Sequence, residues 1–244
     1  MTTMEFFGCT LIAFGPPFAM FCLLIAKDPI RIIIMISAAF FWLMSLLLSS
    51  ILWTVVVPLK DYLSFGVTFS ILFQELFRYI FYRVLRKAEP GLSKVSEVGT
   101  PSGSTSTNNR TQLAFVSGLG FGIMSGAFSV TNILADSIGP GTVGIYGDSQ
   151  YFFLCSSFTT LAFILLHTLW GVIFSKACDN RNYVLIAYVL ATHFIVSAIT
   201  FMNQNQWYLI SIPLIYTVTA LTTVLAFHCA GGSIGSLKRA FSRQ

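Results

Sequence analysis

Ser125 and His193 are the two residues of this sequence that could together break a bond, because a histidine can take the proton of a serine hydroxyl and make it a nucleophile. An intramembrane serine protease of this kind holds its serine in a Gly-x-Ser-Gly turn. Residues 122–126 read Gly-Ile-Met-Ser-Gly, which is one residue too long. The apolar segment 32–57 also lacks a His or Asn to stabilise an oxyanion. These two departures count against a rhomboid-like serine protease, which we keep as an alternative function.

The acidic residues are poorly placed for an intramembrane aspartyl protease, which needs two carboxylates facing each other at membrane depth. The aspartates fall in predicted loops or at a helix end, and they are Asp28, Asp61, Asp136, Asp148 and Asp179. We therefore exclude an aspartyl mechanism for this chain alone. The five cysteines form no C-x-x-C pair, so we expect them to pack as small residues and predict no metal or other cofactor.

Two histidines, His167 and His193, fall inside apolar segments that follow each other along the chain. At 1.5 Å per residue they lie roughly 10 Å and roughly 15 Å from the same end of two antiparallel helices, so they can meet. Intramembrane ionisable residues are functional candidates by default. A structural polar contact, a water-lined cavity and catalysis all remain open for this pair.

A charged pair lies in the third apolar segment, where Glu75 and Arg78 are three residues apart and share one helix face. Each charge partly offsets the cost of removing the other from water. We predict an ion pair that faces the inside of a helix bundle. Contact with a partner protein or a lipid headgroup is the alternative.

Gly118, Gly122 and Gly126 form two consecutive G-x-x-x-G steps, with Ser125 close to the same face. Four-residue spacing stacks the glycines into a groove without side chains, where another helix backbone can approach closely. The spacing predicts a helix-packing site. It leaves open whether the groove serves only this chain's own bundle or also a partner subunit.

The elements that must position these residues are membrane helices. Apolar residues make up 55% of the 244 residues and charged residues 9%, which leaves too little polar surface for a soluble globule. Seven apolar segments are long enough to cross a bilayer as helices, which takes about 20 residues each: 6–26, 32–57, 63–82, 113–138, 151–174, 183–201 and 207–230. We predict an all-α, seven-transmembrane-helix bundle.

The basic residues predict the orientation of the bundle. Of the 14 Lys and Arg residues, all but Lys60 fall on one side of the predicted spans. The positive-inside rule then places the N-terminus in the lumen or outside the cell and the C-terminus in the cytosol. Residues 1–244 form a single transmembrane domain, with a flexible cytosolic loop at 88–112 and a short cytosolic tail at 233–244.

Other classes fit the residues less well. The basic residues form no stripe on a solvated domain, so we predict no nucleic-acid binding. Seven helices with an external N-terminus also suggest a seven-helix receptor, and Glu75, Arg78 and Tyr79 look like a fragment of a receptor signature, but their spacing is wrong. A transporter would be expected to show an internal repeat, and none is visible.

Several short segments, in order along the whole chain, resemble the anterior-pharynx-defective-1 family, the polytopic scaffold subunit of the γ-secretase complex. They are 6–10 with 14–16, 28–31, 74–78, 116–126, 132–136 with 139–141, 165–170 and 230–232. The tail after the last helix is shorter than the family pattern, and the 88–112 loop is richer in Ser and Thr.

The resemblance implies a non-catalytic scaffold that supports nicastrin and presenilin, with the presenilin-enhancer subunit completing the complex. Presenilin supplies the aspartates that cut type I membrane proteins such as Notch and the amyloid precursor protein. The resemblance also implies a multi-pass protein, surrounded by membrane lipids, of the endoplasmic reticulum, Golgi, plasma membrane and endosomes. Gly118, Gly122 and Gly126 match the family's assembly motif, and His167 and His193 match its two intramembrane histidines.

Overall fold

Seven α-helices account for nearly all of the residues that the computed structural model describes, which are 3–56, 63–99, 106–137, 149, 151–233 and 235. The helices are α1 (Thr3–Leu24), α2 (Pro29–Val55), α3 (Leu63–Gly99), α4 (Ser106–Ser137), α5 (Phe152–Asp179), α6 (Tyr183–Thr200) and α7 (Tyr208–Cys229). A short 3-10 helix, Phe201–Asn205, follows α6. The described residues contain no strand, so the all-α prediction is confirmed for this part of the chain.

By length and composition, six of these helices could cross a membrane: all except α3. The sequence of α3 carries Gln74, Glu75 and Arg78 near the middle of its apolar part and further basic residues beyond it. These polar residues lower its overall hydrophobicity. Its 37 residues correspond to about 55 Å of helix, which exceeds the roughly 30 Å of a hydrocarbon core.

Helix α4 lies at the centre of the bundle, packed along α5 on one side and along α2 on the other. One apolar cluster, which includes Trp42 and Phe121, joins α2, α3 and α4. A second cluster, which includes Trp170 and Ile215, joins α5, α6 and α7. Because α5 also contacts α1, α6 and α7, the α4–α5 pair connects the two halves of the bundle.

At one end of the bundle, α1, α5 and α7 finish and α2, α4 and α6 begin, while α3 extends beyond the other helices. We refer to this as the basic end. Asp28 caps α2 by accepting a hydrogen bond from the Ile30 backbone N–H at 3.0 Å. Arg31 donates to the Leu24 carbonyl at 2.7 Å and to Gln112 Oε1 at 3.0 Å, which ties α1, α2 and α4 together.

The predicted flexible loop at 88–112 is much shorter in the structure. Helix α3 continues to Gly99 and α4 already begins at Ser106, so only 100–105 lie outside the described residues. One carboxylate restrains this region: Glu89 accepts from Arg110 Nε at 2.6 Å and from Arg86 Nη1 at 3.3 Å. This joins the extended end of α3 to the start of α4.

The family-like segment at 139–141 and most of the predicted tail at 233–244 lie outside the described residues, which include only Ser233 and Gly235 of that tail. All five cysteines are free thiols.

Candidate functional site

Arg78 forms the centre of a buried polar cluster between α3, α5 and α6. Its Nε atom donates to Glu75 Oε2 at 3.1 Å, and its Nη2 atom donates to Glu75 Oε1 at 3.3 Å. The same guanidinium reaches α5, because Nη1 donates to the backbone carbonyl of His167 at 3.2 Å. The side chains of Glu75 and Arg78 are both about nine-tenths buried or more, so this ion pair faces the inside of the bundle.

His193 extends the cluster to α6. Its Nδ1 atom lies 2.8 Å from Glu75 Oε1, and its ring stacks on Trp170 with centroids 4.5 Å apart. The rings of His167 and His193 touch edge to face, with centroids 5.2 Å apart. The two histidines that the sequence brought to similar depth therefore meet.

The donors and acceptors of the cluster determine how the ring nitrogens are used. Arg78 Nη2 lies 2.8 Å from His167 Nδ1, and a guanidinium can only donate, so His167 Nδ1 accepts and carries no proton. The Glu75 carboxylate accepts, so His193 Nδ1 donates. Among the described residues, no buried side-chain nitrogen or oxygen lacks a hydrogen-bond partner. Each buried side-chain nitrogen and oxygen of the cluster therefore has a hydrogen-bond partner.

A cavity of about 400 Å³ opens beside the cluster, on the side away from the basic end. His167, His193 and Ser125 line it together with Gln74 and Ser197. Both Ser125 and His193 are fully described, and no hydrogen bond joins them. The predicted serine and histidine therefore line the same cavity, but they do not form the hydrogen bond that a nucleophile and its base would share.

The predicted glycine groove is occupied by α5 of the same chain. A Cβ atom on Gly118 would meet the Thr168 carbonyl oxygen at 2.7 Å, and one on Gly122 would meet the Ile164 carbonyl oxygen at 2.5 Å. Gly126 faces the Ile164 side chain instead, with the nearest carbon at 2.6 Å. The first two positions therefore allow backbone contact, and the third faces a side chain that can move.

Two further glycines in the same packing were missed by the sequence reasoning. Gly171 of α5 lies opposite Gly118, and Gly120 lies on the other face of α4, where a Cβ atom would collide with the Met35 carbonyl oxygen of α2. Residues two apart point to nearly opposite sides of a helix, so the Gly-x-Gly-x-Gly run at 118–122 was the available signal for Gly120. Gly171 had no such signal.

The polar cluster and the glycine packing form one site. The His167 carbonyl oxygen accepts from Arg78 Nη1 and also lies 2.9 Å from the Cβ position of Gly118. The close approach of α4 therefore sets the position of the α5 backbone that Arg78 holds. The sequence also did not predict that Trp170 would take part, with its Nε1 donating to Thr192 Oγ1 at 3.0 Å.

Comparison with known proteins gives the family of this chain. The Aph-1 protein family model matches residues 4–233. The γ-secretase subunit Aph-1 of Drosophila melanogaster is 54% identical over 239 residues, covering 98% of each chain. The human γ-secretase subunit APH-1B is 47% identical over 247 residues, covering 98% of this chain and 93% of the relative.

A plant relative, the γ-secretase subunit APH1-like of Arabidopsis thaliana, is 31% identical over 237 residues, covering 94% of this chain and 92% of its own length. The resemblance stated from short segments is therefore confirmed across nearly the whole sequence. The chain belongs to the Aph-1 family.

Proposed function

We propose that this chain is a non-catalytic scaffold subunit of a γ-secretase complex in a cellular membrane. In this role it supports the assembly and stability of presenilin and nicastrin, together with the presenilin-enhancer subunit. It thereby supports the cleavage of type I membrane proteins such as Notch and the amyloid precursor protein. The names of the relatives, which are γ-secretase subunits, favour this assignment over a receptor or a transporter.

The scaffold role rests on one observation: the buried charges are occupied in contacts that join helices. Glu75 and Arg78 are paired with each other and joined to both histidines, so the cluster holds α3, α5 and α6 in fixed relative positions. The α4–α5 glycine contact holds the adjoining helices at backbone distance. An arrangement of this kind stabilises a shape that other integral proteins can bind.

We further propose seven membrane spans, including α3, with the N-terminus lumenal or extracellular and the C-terminus cytosolic. The contacts Arg31–Gln112 and Arg86–Asp179 support a shared basic end, because they bring the basic ends of four helices together. Pairing of Glu75 with Arg78 lowers the cost of placing α3 in lipid. Residues 109–111, Asn-Arg-Thr, form an N-glycosylation sequon. In this orientation the sequon lies in the cytosol and stays unglycosylated, so a glycosidase-sensitive shift on a gel would contradict the orientation.

The decisive experiment is affinity purification of the tagged full-length chain in a mild detergent, followed by identification of the proteins that come with it. We expect presenilin, nicastrin and the presenilin-enhancer subunit among these proteins. We also expect the chain to reside in the endoplasmic reticulum, Golgi, plasma membrane and endosomes. Cells lacking the chain should lose Notch cleavage and regain it when the chain is restored. Cleavage that persists in cells lacking every Aph-1 family chain would overturn the proposal.

A rhomboid-like serine protease is the second candidate, and one observation favours it. Ser125 and His193 line one cavity, and His193 Nδ1 is oriented by the Glu75 carboxylate, as the base of a catalytic triad would be. The missing hydrogen bond between Ser125 and His193 argues against it. The sharing of Glu75 with Arg78 does so as well, because that carboxylate already balances a buried cation.

A further inference from the structure

Two clefts of opposite character lie side by side at the basic end. The first, of about 200 Å³, is polar and is lined by Arg86, Arg110, Lys176 and Asp179. The second, of about 360 Å³, is apolar and lies between the ends of α1, α4, α5 and α7, with Leu169 and Phe227 among its walls. Thr111 and Val172 line both clefts, so the two volumes are neighbours.

The polar cleft has a surplus of positive charge among its described residues. The Arg86 guanidinium is matched by Asp179, with Nη2 donating to Oδ2 at 2.6 Å, and Arg110 is matched by Glu89. Lys176 is the remaining cation, and among the described residues no carboxylate lies within ion-pair distance of it. A negatively charged group entering this cleft would therefore meet an ammonium that no acid already neutralises.

The apolar cleft has the complementary property. Its walls are mostly aliphatic and aromatic, and it lies between helices at the level where the chain passes from its apolar spans to its basic ends. Water finds few hydrogen-bond partners in this cleft, whereas a hydrocarbon chain would bury apolar surface against Leu169, Val172 and Phe227. A cationic cleft joined to an apolar one at a membrane surface matches the two ends of a phospholipid.

We propose that the two clefts together bind one glycerophospholipid with an anionic headgroup. Its phosphate-bearing headgroup lies at Lys176 and Arg110, and one acyl chain lies in the apolar cleft between α4, α5 and α7. This site is separate from the buried polar cluster and goes beyond the scaffold role. Under the proposed orientation it faces the cytosolic leaflet, in which anionic lipids are concentrated.

The headgroup half is tested by native mass spectrometry of the full-length chain in mild detergent, titrated separately with phosphatidylserine and phosphatidylcholine. We expect phosphatidylserine to bind more tightly and Lys176→Gln to weaken it by about fivefold, the effect of one basic residue near a membrane surface. Lys176→Arg should keep the wild-type affinity. The matched control is Lys87→Gln, because Lys87 is exposed on α3 and outside both clefts.

Three results would overturn this half of the proposal. The first is unchanged phosphatidylserine affinity in Lys176→Gln, and the second is an equal loss in Lys87→Gln, which would indicate diffuse attraction to the basic end. The third is displacement of the lipid by inorganic phosphate at equal concentration, which would show that the polar cleft recognises a free anion.

The acyl-chain half is tested by filling the apolar cleft. Thr223 is exposed on α7 and lines this cleft, whereas Thr217 is exposed on the same helix outside it. Both hydroxyls donate to the carbonyl four residues earlier, so Thr223→Phe and Thr217→Phe change the helix in the same way. We expect severalfold weaker binding of both phospholipids to Thr223→Phe alone. Equal binding to both variants, or replacement of the lipid by a segment of a partner subunit in the purified complex, would contradict the proposal.

Discussion

Gly171 of α5 lies against Gly118 of α4 so closely that a Cβ atom on Gly171 would come within 2.7 Å of the Gly118 Cα. Real Cβ atoms do not approach backbone at this distance, so the two helices meet here through their main chains. In lipid, where burial of apolar surface does not drive helix association, such close packing is one of the forces that hold helices together. The contact makes steric predictions for each glycine.

The first prediction concerns Gly122→Ala. The added methyl would meet the Ile164 carbonyl oxygen at 2.5 Å, so α4 and α5 must separate, at a cost of about 1–3 kcal/mol of unfolding free energy. Gly8→Ala is the control, because no described atom lies within 4 Å of its Cβ position. Unfolding in a denaturing detergent measures both. Equal stability of the two variants would show that the helices can move apart without loss.

Gly126→Ala should be milder than Gly122→Ala. Its methyl would meet the end of the Ile164 side chain, which can change rotamer, and no backbone atom is among its nearest contacts. We expect a loss of under about 1 kcal/mol. The same unfolding measurement decides the order, and a loss larger than that of Gly122→Ala would refute the assignment of the rigid contact.

Gly122→Leu should impair assembly as well as folding, because the larger side chain cannot be accommodated by a small shift. We expect an overlap that costs a few kcal/mol and reduced recovery of presenilin and nicastrin with the tagged chain. Gly8→Leu, measured in parallel, shows whether a bulky residue in a helix is by itself harmful. Normal recovery and Notch cleavage with Gly122→Leu would count against a role of the α4–α5 contact in assembly.

Removing one member of the buried ion pair should be worse than removing both. Arg78→Met leaves the Glu75 carboxylate without its main partner, and we expect a loss of about 3–5 kcal/mol. Replacing both, as Glu75→Leu with Arg78→Met, removes the uncompensated charge and should recover part of this loss. A double-mutant cycle on unfolding measures the coupling. Simple additivity would mean that the two charges do not stabilise each other.

Ser125→Ala distinguishes the scaffold from the serine protease. The scaffold role requires no nucleophile, so cleavage of Notch by the complex should continue at the wild-type rate. Recovery of presenilin and nicastrin serves as the control for assembly. Loss of cleavage in a normally assembled Ser125→Ala complex would revive the serine mechanism.

Much of the helical framework could be predicted from apolar runs, because backbone groups in lipid must satisfy each other within a helix. The Glu75–Arg78 pair was predictable from its spacing, and the meeting of His167 with His193 from depth along two antiparallel helices. These predictions rest on local geometry, which the order of residues determines directly.

The remaining features depend on contacts between distant helices. Glycine spacing identified a groove but could not show that α5 of the same chain would occupy it. Glu89 joins α3 to Arg110 of α4 across the predicted loop, and the spacing of residues along the chain did not reveal this contact. Gly171 has no glycine three or four residues away, so only its position opposite Gly118 reveals its role.

The separation along the chain between Arg78 and its partners has a consequence for biogenesis. His167 lies 89 residues after Arg78, and His193 lies 118 residues after Glu75. Under the proposed seven-span topology, a ribosome would deliver α3 to the translocon before α5 and α6 exist, and during that interval neither histidine could bind the Glu75–Arg78 pair. Settling of α3 into the lipid phase would then be coupled to completion of the later helices, so that the bundle closes in the last stages of synthesis.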